Sequence, residues 1–135
     1  MTSDDGMVIA DSSVWIDYFN GVESREADFL DDLLRRDFIL IGDLILVEVL
    51  QGFDRDADFR RAQTLFGRLD CAEMAGYELA LKNARNYRLL RQRGITVRKT
   101  IDVMIATFCI EHRHVLLHAD RDFERMREPL GLVTI

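Results

Sequence analysis

The chain has 135 residues, 48% of them apolar, and a formal net charge of −6. That length suits one domain with one core, and the apolar fraction excludes a disordered chain. The acidic balance excludes a protein that grips nucleic acid by bulk charge alone, but not a nuclease that uses a metal ion and a local basic patch. Residues 1–6 are acidic and polar and lack the basic start and apolar stretch of a secretory signal, so they read as a short flexible leader ahead of a domain at 7–135. No apolar run reaches membrane-span length. Cys71 and Cys109 stand in apolar surroundings and read as buried, reduced thiols, which points to a reducing cytoplasm. His112, His114 and His118 show no zinc-ligand spacing with either cysteine.

In chain order, residues 7–10 predict a short buried strand. Ser12 or Ser13 can cap the next helix, which stops near Asn20-Gly21. A second helix is expected over 24–35, with Ala27, Leu30, Leu33 and Leu34 inward. Residues 38–41 predict the second strand, and Asp43 can cap a helix from Leu44 to Gln51. Residues 56–67 read as a helix with Phe59, Ala62, Leu65 and Phe66 inward, and 69–73 as a third strand. A long helix then runs to Arg93, with Tyr77, Ala80, Leu81, Ala84 and Tyr87 on one face and Gly94 closing it. Thr100 can cap a buried helix over 101–111. Residues 115–118 predict a fourth strand, 122–127 a short helix broken at Pro129 and Gly131, and 132–135 a final strand. Strands alternating with helices imply an α/β fold: a single-domain, three-layer sandwich around a mostly parallel sheet of four to five strands.

Five carboxylates stand out in this frame. Asp11 and Asp120 each follow a predicted strand, where open parallel sheets place their ligands. Capping a helix is the plain alternative for either one. Glu48 stands among apolar residues, where an unpaired buried carboxylate is costly. Asp102 opens the most apolar helix, where it also gains from the helix dipole. Asp122 stands two residues after Asp120 and reads as assisting rather than primary. Carboxylates gathered in one pocket repel each other unless a cation or protons compensate, and a hard divalent ion such as Mg²⁺ or Mn²⁺ prefers such ligands. Arg85, Arg88, Arg91, Arg93, Arg98 and Lys99 crowd one stretch, either as a solvated helix face or as a surface for a polyanion.

Four segments together resemble the PIN-domain metal-dependent ribonucleases, specifically the VapC-type toxins. They are Val8-Ile9-Ala10-Asp11-Ser12-Ser13-Val14-Trp15-Ile16, Val47-Glu48-Val49-Leu50-Gln51-Gly52, Ile101-Asp102-Val103-Met104-Ile105-Ala106 and Leu117-His118-Ala119-Asp120-Arg121-Asp122-Phe123. Asp43 and His118 depart from the family pattern, which often has a hydroxyl residue at the first position and a small hydroxyl or amide residue at the second. The resemblance implies a PIN-like fold in which Asp11, Glu48, Asp102 and Asp120 hold one or two Mg²⁺ or Mn²⁺ ions, with Asp122 and Ser12 assisting. It implies that water activated by the ion hydrolyses an RNA phosphodiester, in a tRNA or a ribosomal RNA loop, leaving 5′-phosphate and 3′-hydroxyl ends. Arg98 and Lys99 would hold the RNA. A VapB-type antitoxin would cover the groove, and the toxin would form a homodimer; Trp15, Tyr18 and Phe19 read either as antitoxin contacts in that groove or as ordinary core packing. The rival readings are a catalytically silent PIN-like RNA- or protein-binding module and a Mg²⁺-dependent phosphotransfer domain. The latter would want an acidic pair or Asp-x-Asp after the first strand, where this chain has Asp11-Ser12-Ser13.

Overall fold

Val8–Ala10 forms β1, which pairs in parallel with β2 (Ile39–Gly42) on one side and β4 (Val115–Leu117) on the other. β3 (Cys71–Ala72) extends the sheet from β2, so the order is β3-β2-β1-β4 with every pair parallel. This is a computed structural model, and it describes residues 6–135. The expected leader lies outside the described residues except for Gly6. Ile9 stands opposite both Leu40 and Leu116, and all three are at most 1% exposed. Strands covered on both faces are apolar throughout rather than alternating.

The connecting helices are α1 (Ser12–Phe19), α2 (Arg25–Arg35), α3 (Asp43–Leu50), α4 (Asp56–Phe66), α5 (Tyr77–Gln92), α6 (Thr100–His112), α7 (Arg121–Glu124) and α8 (Arg127–Leu130). They flank the sheet, as the alternating pattern predicts. Because all four strands run the same way, Asp11, Asp43 and Asp120 follow their strands at one edge of the sheet. The chain leaves β1 for β2 and β3, then returns to the other side of β1 as β4. The crevice between β1 and β4 is therefore a topological switch point, the usual ligand position in such sheets. The Asp11 amide donates to the Leu117 carbonyl at 2.9 Å, which carries the β1–β4 ladder up to that crevice.

Several local expectations change. Asp11 occupies the N-cap of α1, so Ser12 and Ser13 lie inside the helix. β2 runs straight into α3 with Gly42 as the N-cap, and Asp43 instead accepts the Met74 amide at 3.0 Å. Lys99, not Thr100, is the N-cap of α6. Phe59 and Tyr77, expected inward, are 37% and 76% exposed. Pro129 does not end the helical segment but sits in the first turn of α8, where its missing N–H costs nothing. The expected final strand reduces to one parallel bridge, Leu116 to Thr134. Cys109 is buried as expected, whereas Cys71 is exposed at the sheet edge; both are free thiols. Among the described residues, no helix is long and apolar enough to cross a membrane.

Candidate metal centre

Asp11 is buried in the crevice, 5% exposed at the start of α1. Burial pushes its carboxyl above the usual range. The Ser13 hydroxyl opposes this by donating to Asp11 Oδ2 at 2.9 Å, and the Ser12 and Ser13 amides also draw it down. The negative charge of Asp120 pushes it up again. The sequence offers Ser13 as a helix cap or, like Ser12, as a hydroxyl to orient water. The signal for its role is its place two residues after the acid, from which a hydroxyl can reach back.

Glu48 and Asp102 approach the same crevice on helices. Glu48 sits on α3 after the neighbouring strand β2. Its Oε1 is buried and has no hydrogen-bond partner among the described residues. Burial raises Glu48 first, then the charge of Asp11, while the Ser12 hydroxyl and the Lys99 ammonium lower it. Asp102 lies in the first turn of α6 and is 5% exposed. Burial, then the charge of Asp11, then those of Asp120 and Glu48, push it up to about 7 against the pull of Lys99. The charges of Asp11, Glu48 and Asp120, from three other segments, therefore all bear on Asp102, and Lys99 draws down both Glu48 and Asp102.

Asp120 and Asp122 divide their work. Asp120 caps α7 by accepting the Asp122 amide on Oδ1 at 2.9 Å. Asp122 is turned inward, 6% exposed, and accepts from Arg98. The Arg98 guanidinium lies 3.7 Å from Asp120 and 3.4 Å from Asp122, with most of its side chain still in solvent. A cleft of about 460 Å³, lined in part by Arg25, His118, Arg121 and Arg127, opens beside Asp120. Asp11, Glu48 and Asp102 do not line it.

Among the described residues, no three His, Cys, Asp or Glu side chains are grouped closely enough to hold a metal ion as they stand. The carboxylates are neighbours in charge rather than a closed ligand shell. Their chemistry nonetheless fits a hard divalent cation: every donor is oxygen, one buried Glu48 oxygen is unpaired, and their mutual repulsion is what a cation relieves. Trp15 is a correction. It is fully buried, packs edge-on against Phe66 at 4.9 Å, and belongs to the core rather than to a groove. Tyr18 and Phe19 are half-buried on the same helix.

Comparison with known proteins agrees with this fold. Residues 8–129 match the family model described as PIN domain. The chain is 29% identical over 120 residues to the VapC ribonuclease Mb1587 of Mycobacterium bovis and to Ribonuclease VapC11 of Mycobacterium tuberculosis, covering 87% of this chain and 90% of each relative. Among solved structures, it superposes on VapBC2 from Rickettsia felis bound to a promoter DNA fragment, with a TM-score of 0.77 and 14% identity, covering 96% of this chain and 97% of that one. It superposes equally on DNA-bound VapBC from Salmonella typhimurium, with a TM-score of 0.77, 16% identity and the same coverage. At such identities, these two likenesses speak for the fold.

Proposed function

We propose that this chain, which belongs to the PIN-domain family, is a metal-dependent endoribonuclease and the toxin of a toxin–antitoxin pair. The observation that carries the reading is the convergence of the Asp11, Glu48 and Asp120 charges on the buried Asp102 at the sheet's switch point. The names of the sequence relatives, VapC ribonucleases, support the activity. We take residues 7–135 as the nuclease domain.

Asp11, Glu48, Asp102 and Asp120 would hold one or two Mg²⁺ or Mn²⁺ ions. When bound, such an ion polarises phosphoryl oxygens and makes neighbouring water more acidic. The chain's own groups do the rest. Ser13 fixes the Asp11 carboxylate through Oδ2. Ser12 steadies Glu48. Asp102, raised to about 7 without a cation, is the acid whose charged form such an ion would favour most. Lys99 lies beside these acids and can meet an RNA phosphate, while Arg98, pinned at one end to Asp120 and Asp122, presents its solvent-facing edge to the same backbone. Asp122 supports this arrangement from behind.

The structural neighbours are VapBC complexes, and the same assembly is proposed for this chain. A VapB-type antitoxin would cover the acidic crevice, with the half-buried Tyr18 and Phe19 at its margin. The toxin would be a cytoplasmic homodimer acting on structured RNA. Asp11→Asn and Asp102→Asn proteins test the reading. Each should remain folded and bind its antitoxin while cleavage of cellular RNA falls to background. Undiminished cleavage by either protein would remove the site from consideration.

A further inference from the structure

A chain of hydrogen bonds runs beneath Asp120, through side chains that the chemistry above does not use. His118 follows β4 and is 6% exposed. Its Nδ1 accepts the Asp120 backbone N–H at 3.0 Å. A ring nitrogen that accepts carries no hydrogen, so Nε2 is the donor. Nε2 lies 2.9 Å from Glu124 Oε1. Glu124 also accepts from the Thr134 hydroxyl at 3.1 Å and from Arg127 at 3.2 Å. Thr134 belongs to the terminal segment bridged to β4. Asp120 is therefore held at two points: its own amide by the His118 ring, and its Oδ1 by the Asp122 amide. Oδ2 stands outside both contacts.

We propose that His118 is a positioning residue that aims the Asp120 carboxylate into the cation site, its ring locked by Glu124 to the C-terminal segment. The inference rests on the assignment of Asp120 to that site. The two ring nitrogens have separable tasks. Asparagine at 118 can accept the amide two residues on, as in an Asx turn, but is too short to reach Glu124. Glutamine can reach Glu124 but places its acceptor too far out to close that turn.

The test compares the full-length parent with His118→Asn, His118→Gln and His118→Ala by Mn²⁺ titration, amide exchange at Asp120 and thermal unfolding. The Asp120 amide should be protected in the parent and in His118→Asn, and exchange faster in the other two. Mn²⁺ affinity should stay within about threefold of the parent in His118→Asn and fall roughly tenfold in His118→Gln and His118→Ala, the usual loss when a group orienting a ligand is removed. If His118→Ala does not fold, the asparagine–glutamine contrast decides the matter. An unprotected Asp120 amide in the parent overturns the proposal. So does metal affinity that follows thermal stability instead of side-chain type. Tight parent binding that neither His118→Gln nor His118→Ala weakens sinks the positioning role alone. A parent that binds no Mn²⁺ sinks the cation assignment and the positioning role together.

Discussion

Arg98 donates to the Asp122 carboxylate through both its backbone amide, at 3.5 Å, and its Nε, at 3.4 Å. Both bonds are long, but they meet a carboxylate whose side chain is only 8% exposed. Arg125 lies 3.8 Å from the other oxygen. The pair joins the loop that leads into Asp102 to the helix that follows Asp120. Asp122 thus acts as a clamp between two segments of the acidic crevice.

Removing that clamp should cost stability. Asp122→Ala leaves the Arg98 amide without its acceptor, a loss of about 1–3 kcal/mol. Asp122→Asn keeps one acceptor oxygen and should lose less. Urea unfolding of the metal-free proteins reads both values. An Asp122→Ala protein within about 0.5 kcal/mol of the parent, the range of an ordinary surface change, contradicts the clamp.

The acidic crevice should make stability depend on pH in an unusual direction. Asp102 titrates near 3.8 as an unperturbed group and at about 7 here. Between those values the folded chain binds more protons than the unfolded chain, so unfolding free energy falls as pH rises. Asp11 and Glu48 are shifted the same way. With metal chelated, the unfolding midpoint should therefore decline from pH 5 towards pH 8. Asp102→Asn should flatten that slope, and added Mg²⁺ should restore stability most at the alkaline end. A metal-free midpoint that climbs over this range, in parent and Asp102→Asn alike, is the opposite result.

Glu48→Gln separates the cost of the site from its use. The substitution removes a charge that burial and Asp11 both disfavour. At pH 8 without metal, the variant should be at least as stable as the parent. Its Mn²⁺ affinity should fall by roughly tenfold or more, since losing even a supporting partner of a ligand costs that much. Isothermal titration beside a thermal melt gives both readings. Unchanged affinity removes Glu48 from the ligand set.

Gly42 joins β2 to α3 with no intervening loop, and there is no room for a side chain there. A Cβ at this position would overlap the Met74 sulfur, and Met74 is 1% exposed and cannot swing out to solvent. Gly42→Ala should destabilise by about 1–3 kcal/mol, as overpacked sites do. Pairing it with Met74→Ala should recover part of the loss. Equal destabilisation by both changes in simple sum would place the fault elsewhere.

The architecture was legible because short apolar runs and three- and four-residue periodicity follow directly from burial. Ala27, Leu30 and Leu33 point inward as their spacing demands. α6 is buried over most of its circumference because its apolar residues are spread round the helix rather than along one stripe. The gathering of Asp11 and Asp120 could be foreseen from chain order, since parallel strands put their ends on one edge. Partners that depend on tertiary approach could not. Nothing local says that Asp43 turns from its helix to the Met74 amide, or that Arg98 reaches Asp122 across 24 residues. Tyr77, Ala80, Leu81 and Ala84 satisfy an apolar period and still lie outside, because α5 turns the face that carries Leu79 and Leu90 to the core instead. Trp15, Tyr18 and Phe19 are alike in sequence as groove or core rings, and only packing against Phe66 settles that Trp15 goes inside.

On the proposed reading, these distant carboxylates share a divalent cation. Anomalous scattering from crystals soaked in Mn²⁺ tests it directly. A manganese peak in coordination contact with oxygens of Asp11 and of at least one of Glu48, Asp102 and Asp120, absent from Asp11→Asn crystals, is the expected result. No peak in the crevice, or a peak bound only by surface acids such as Glu26 and Glu124, would contradict the account.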